Sequence, residues 1–143
     1  MEKRTAIIDI GSNTVRLVIY NYDEQGTLHE LANMKKVARL RSYVDEAGMT
    51  SEEGVAVLKE LLLNYKQILA DFGVEQVHAA ATAAVRQAQN REEIVETMLR
   101  ETGIELQILS EEQEAYFGFV AVAYSMATSS AITIDMGGGS TEI

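Results

Sequence analysis

The chain has 143 residues, 47% of them hydrophobic, which is the size of one ordinary domain with enough apolar matter for a packed core. It contains no cysteine, which excludes disulfide frameworks, thiolate metal sites and cysteine nucleophiles. A net charge of -10 argues against nucleic-acid binding, and no apolar run approaches the ~20 residues of a membrane-spanning helix.

Met1-Glu2-Lys3-Arg4-Thr5 leads directly into a strand pattern and lacks the apolar region of a secretion signal, so a cytoplasmic location is expected. Residues 5–10, 15–22 and 27–38 read as three strands, the last two joined by a turn at Tyr22-Asp23-Glu24-Gln25-Gly26. After a loop, Thr50-Ser51-Glu52-Glu53 has the form of a capping box, and apolar residues from Val55 to Phe72 recur at helical spacing up to Gly73. A fourth strand is expected over 74–81 and a short helical piece over 83–89. Asn90 stands where a cap would open the next helix, which ends near Gly103. A fifth strand, 105–109, meets a second capping box at Ser110-Glu111-Glu112-Gln113, opening a helix to about residue 126.

This order predicts an α/β fold with a mixed five-stranded sheet, three antiparallel strands followed by helix-crossover strands, and flanking helices. It matches the ribonuclease-H-like layout of the actin, Hsp70 and sugar-kinase superfamily. Residues 1–127 would form a first such domain. Residues 128–143 would supply the first strand and phosphate loop of a second, truncated one.

Two copies of one short phrase carry most of the chemistry. Asp9-Ile10-Gly11-Ser12-Asn13-Thr14 follows the apolar run 6–8, and Asp135-Met136-Gly137-Gly138-Gly139-Ser140 follows the apolar run 131–134. Each reads as a buried strand ending in Asp-x-Gly-x-x-Ser/Thr. The glycine lets the backbone turn tightly and bring N–H groups to an anion. The hydroxyls of Thr14 and Ser140 add donors, and each aspartate can hold a cation or a water beside the anion. Since three consecutive glycines supply no packing surface, the pair is expected to clamp phosphate.

Further residues carry open readings. Glu111 and Glu112 suit the positive end of a helix dipole. Glu114 borders the apolar stretch 115–119, where a poorly solvated carboxylate would suit a general base. Arg86 follows a run of small residues and could clamp phosphate or lie exposed on its short helix. Lys35, Lys36, Arg39 and Arg41 form a basic cluster that reads equally as a solvated strand end or a phosphate contact. His29 and His78 lack ligand-like spacing.

The stretches IIDIGSNTVRLVIY, ATAAVRQAQN, ILSEEQEAYFGFVAV and IDMGGGSTEI, in that order, resemble the N-terminal part of the exopolyphosphatase and guanosine-pentaphosphate phosphatase family. The resemblance implies hydrolysis of a terminal phosphoanhydride of polyphosphate or guanosine pentaphosphate with magnesium or a similar divalent ion. It makes Glu114 the catalytic glutamate that deprotonates the attacking water, with Glu142 as a further acidic participant. It places Asp9 and Asp135 near the metal. Ser12, Asn13, Gly137, Gly138, Gly139, Ser140 and Thr141 would hold phosphate oxygens, which Arg86 would neutralise.

One departure stands out. Many relatives carry R-L-G-E-G after the third strand, whereas this chain has Arg39-Leu40-Arg41-Ser42-Tyr43. Losing both glycines should stiffen a loop at the cleft and bears on substrate preference. Competing readings are an ATPase or sugar kinase of the same superfamily and a nucleotide- or polyphosphate-binding sensor. No membrane or nucleic-acid partner is expected, oligomeric state is open, a homodimer included, and the isolated chain is expected to have little activity because half the cleft would be missing.

Overall fold

The computed structural model describes residues 3–126, 130 and 132–143, apart from the side chain of Glu142. The chain opens with an antiparallel meander of β1 (Lys3–Ile10), β2 (Thr14–Tyr22) and β3 (Leu28–Val37). Asp23 sets the hairpin between β2 and β3, its Oδ1 accepting from the N–H groups of Gln25 and Thr27, both at 2.9 Å. There follow α1 (Glu52–Asp71), β4 (Gln76–Ala81), the single turn α2 (Ala83–Arg86), α3 (Arg91–Thr102), β5 (Leu106–Ile108) and α4 (Glu111–Met126). The sheet runs β3-β2-β1-β4-β5, with β4 parallel to β1 and β5 parallel to β4. This is the expected mixed sheet.

Register decides which residues meet the helices. Ile8 stands opposite Leu17 and Ile10 opposite Val15, so all four point to one face. There they are fully buried with Leu58, Leu62 and Tyr65 of α1 and Ile94 and Met98 of α3 in one apolar cluster. Burying a side chain of that size contributes about 1.5–3 kcal/mol. The Tyr65 hydroxyl finds a partner inside this layer, donating to the Val15 carbonyl at 2.9 Å. Burial accordingly raises the Tyr65 hydroxyl above its ordinary pKa. The alternate residues of the same strands, Ile7, Asp9 and Arg16, are exposed on the opposite face. Helix α4 contributes no buried residue, and Tyr116, Phe117 and Tyr124 on it are exposed.

Of the two expected capping boxes, only the second forms: Ser110 and Gln113 exchange side-chain to backbone bonds at 3.1 and 2.9 Å at the start of α4. At α1 the cap is Ser51 and not Thr50, its Oγ accepting from the Gly54 N–H at 3.2 Å, so the third helical position is a glycine with no side chain to reciprocate. Asn90 instead makes no side-chain bond to α3. Its amide clasps Thr50 across the fold, accepting from Thr50 N at 3.0 Å and donating to Thr50 O at 2.9 Å. That two-point bond to a distant backbone satisfies both ends of the side chain, which a local cap could not.

The basic loop after β3 turns sharply at Arg39, whose φ of 49° is left-handed and costly for a residue with a Cβ. The conformation is held from both sides. The Ala38 and Arg39 N–H groups both donate to Asn13 O at 2.9 Å, and Ser42 Oγ donates to Arg39 O at 2.7 Å. A single 3-10 turn, Leu40–Tyr43, follows and seats Tyr43 against the start of α1. Gly54 permits this contact, since a Cβ there would lie 2.5 Å from Tyr43 Cβ and 2.9 Å from Thr50 Cγ2.

The second glycine corner is built differently from expectation. Residues 132–134 form no strand, and Ile132 and Ile134 are exposed, so the apolar run before Asp135 is not a buried strand here. The corner is a minimal ladder of β6 (Asp135–Met136) and β7 (Thr141–Glu142). The expected domain boundary at 127/128 falls outside the described residues.

Candidate functional site

The two corners share one hydrogen-bonding geometry. Gly11 N donates to Thr14 O at 3.0 Å, and Gly137 N donates to Ser140 O at 2.9 Å. Each aspartate therefore precedes a loop closed across the same offset, and the sequence repeat is a structural repeat.

These loops face one another across a cavity of about 240 Å³. The first corner contributes Asp9, Gly11, Ser12, Asn13 and Thr14, and the second contributes Asp135 and Gly137 to Ser140. Gly139 makes their close approach possible, since a Cβ there would collide with Ser12 Oγ and lie 3.1 Å from Ala83 Cβ. The contact is reinforced by side chains from elsewhere in the fold. Arg41 Nη1 donates to Gly138 O at 2.7 Å, and Gln87 Nε2 reaches Gly139 O at 3.5 Å.

Glu114, in the first turn of α4, also lines this cavity. Arg86 ties it to the sheet: its Nη1 donates to Glu114 Oε2 at 2.9 Å and to Leu109 O at 2.7 Å. The two side chains are only 16% and 17% exposed, so the pair sits in a partly desolvated setting where such a bond is strong. Arg86 Nη2 is buried with no hydrogen-bond partner among the described residues, and Glu111 Oε1 stands 3.9 Å from it. A buried donor of this kind ordinarily finds an acceptor.

Asp9 is open to the cleft by surface area yet hemmed by protein around its carboxyl. Burial raises its pKa above 3.8, Arg16 opposes the shift, and the negative charge of Asp135 adds to it. No group of three or more acidic, histidine or cysteine side chains is placed to hold a metal among the described residues. Two mutually repelling carboxylates beside this cavity nevertheless fit magnesium, which takes one or two carboxylates together with phosphate oxygens and waters.

Of the residues expected at the site, the cavity therefore gathers Asp9, Ser12, Asn13, Glu114, Asp135, Gly137, Gly138, Gly139 and Ser140, with Arg86 bonded behind Glu114. Thr141 lies in β7, exposed and off the cavity wall. The side chain of Glu142 is outside the described residues. Sequence reasoning missed Thr82 and Ala83, which line the cavity at the end of β4. A signal existed: Thr82 directly follows β4, which runs parallel to the Asp9 strand, so it had to emerge beside the first corner. The basic cluster divides, with Arg39 and Arg41 beside Ser12 and Asn13, and Lys35 and Lys36 on a larger groove of about 730 Å³ between β3 and α1.

Comparison with known proteins gives a consistent result. Exopolyphosphatase 1 of Mycobacterium tuberculosis is 32% identical over 142 residues, covering 98% of this chain and 41% of that protein. The crystal structure of the Aquifex aeolicus member of the Ppx/GppA protein family superposes with a TM-score of 0.88 at 37% identity, over 99% of this chain and 46% of that one. An exopolyphosphatase structure from Cytophaga hutchinsonii gives a TM-score of 0.89 at 28% identity, over 97% of this chain and 45% of that one. The chain thus spans less than half the length of these relatives. The sequence profile of the Ppx/GppA phosphatase family matches residues 18–143, and with the ribonuclease-H-like sheet and the paired glycine corners this establishes that the chain belongs to the Ppx/GppA phosphatase family.

Proposed function

We propose that this chain supplies the terminal-phosphate cavity and the general base of a phosphoanhydride hydrolase acting on inorganic polyphosphate. One observation carries the reading: a single cavity brings together both glycine corners, Asp9, Asp135 and Glu114. The family relatives named exopolyphosphatase support the substrate class. Residues 128–143 are read as the opening of a second domain.

The proposed chemistry follows from the placement of groups. Backbone N–H groups and hydroxyls of the two corners hold the oxygens of the terminal phosphate, and Arg86, bonded behind Glu114, contributes positive charge. Glu114 accepts a proton from a water as the water oxygen bonds to phosphorus. The bridging P–O bond breaks, and its electron pair leaves with the shortened chain. Arg86 fixes the orientation of the Glu114 carboxylate through Oε2. A divalent cation held by Asp9 and Asp135 would supply charge neutralisation at the phosphate oxygens. Such catalysis is mostly positioning and electrostatics, so the loops should matter as much as the base.

The test is magnesium-dependent phosphate release by the full natural protein from polyphosphate, guanosine pentaphosphate and ATP, with Glu114→Gln beside it. Polyphosphate turnover that falls about 10²- to 10⁴-fold in the variant supports the reading. Binding without turnover would make the protein a sensor. Preference for guanosine pentaphosphate would keep the mechanism and change the substrate.

A further inference from the structure

The departure after β3 replaces a glycine-rich loop with Arg39-Leu40-Arg41-Ser42-Tyr43, and the structure gives the two arginines a definite place. They line a cavity of about 310 Å³ with Ser12, Asn13, Ser42 and Gly138. Ser12, Asn13 and Gly138 also line the cavity between the corners, so the two hollows share a wall. No carboxylate lines the outer one among the described residues, in a chain whose net charge is -10.

The arginines are held there by the backbone. Arg39 adopts its left-handed conformation against Asn13 O, and Arg41 N donates to Ser12 O at 3.1 Å, so both residues are fastened to the first corner. Arg41 then spans to the second corner through the 2.7 Å bond from Nη1 to Gly138 O. A guanidinium has five N–H donors, and this bond uses one end of the fork. The rest of the fork remains beside a hollow lined by hydroxyl and amide groups.

We propose that Arg39 and Arg41 form a second anion subsite, which takes the phosphate adjoining the one held between the glycine corners. The subsite would make this protein select chains of two or more phosphates over a single phosphate group. Its specificity would come from a loop that many relatives build with glycine. The inference rests on the reading above that the inner cavity takes a terminal phosphate.

Equilibrium binding to the full natural protein in magnesium separates the possibilities, using orthophosphate and methylenediphosphonate, whose two phosphorus groups are joined by an uncleavable carbon. Arg41→Gly is expected to weaken methylenediphosphonate about tenfold relative to orthophosphate, as loss of a charge-assisted contact would. Arg41→Lys should recover part of that ratio by restoring charge without the fork. An equal loss for both ligands would show that Arg41 only straps the loops together, and no loss for either would show that the diphosphonate bypasses it; both results overturn the subsite alone. Failure of the unaltered protein to bind either ligand overturns the terminal-phosphate reading as well.

Discussion

Arg86 and Glu114 are bonded to one another at 2.9 Å, so the cation expected to neutralise phosphate is also the group that orients the expected general base. The same Nη1 holds Leu109 O, which anchors the pair at the end of β5. Arg86→Lys keeps the charge but removes the planar guanidinium that places Nη1 between both acceptors. We expect phosphate release to fall about 10²-fold or more, the scale of losing one well-placed electrostatic donor, with stability lower by about 1–3 kcal/mol. Turnover and chemical denaturation of the same preparations measure the two effects, and full activity in the lysine variant would contradict the assigned role.

Gly139→Ala tests the contact between the corners. The added Cβ forces Ser12 Oγ to rotate away and still lies 3.1 Å from Ala83 Cβ and 3.3 Å from Ser12 Cβ, which are fixed to the backbone of α2 and the first corner. The second loop should therefore shift outward, lowering phosphate affinity at least about tenfold, as displacement of positioned donors does. The thermal midpoint should change little, because the loop buries little apolar surface. Orthophosphate titration and thermal unfolding together read this split.

Asp9 gives a pH prediction with a definite sign. Its pKa is raised by burial, against Arg16 and with Asp135, so the folded state holds the Asp9 proton more tightly than the unfolded chain does. The resulting stability is fully present below the ordinary value of 3.8 and is lost as pH rises through the raised value. At neutral pH the ionised carboxylate is thus a burden on the metal-free fold. Asp9→Asn should raise the thermal midpoint without magnesium and reduce the further rise that magnesium gives to the unaltered protein. A lower midpoint in the variant would refute the first claim, and an undiminished magnesium effect the second.

Tyr65→Phe isolates one hydrogen bond in the core. The ring is buried and only the bond to Val15 O is removed, leaving packing nearly intact. A loss of about 1 kcal/mol is expected. Urea unfolding at constant m-value is the appropriate measurement.

Much of this was legible locally. The apolar strand-forming runs within residues 5–10 and 15–22, the Ser110 box and the turns of the repeated Asp-x-Gly phrase each encode their structure within a few residues, where propensity and side-chain chemistry act directly. Contacts between distant segments were not legible. The bond from Arg41 to Gly138 joins residues 97 apart, and the clasp of Asn90 on Thr50 joins residues 40 apart. Asn90 has ordinary capping chemistry, and only the placement of the Thr50 backbone gave it a better use. Ile132 and Ile134 fit a buried-strand pattern but are exposed, because apolar alternation states a preference for burial without naming the surface that provides it.

Tyr43 rests where Gly54 has no side chain, which makes the two positions a matched pair. Transplanting this loop into a homologue with any larger residue at the start of the helix would force tyrosine and helix apart. Transplanting a glycine loop into this chain would instead leave a hole over Gly54. Exchanges of the loop between family members should therefore succeed only when position 54 travels with it, so the unit of inheritance for this edge of the cleft is larger than the loop itself.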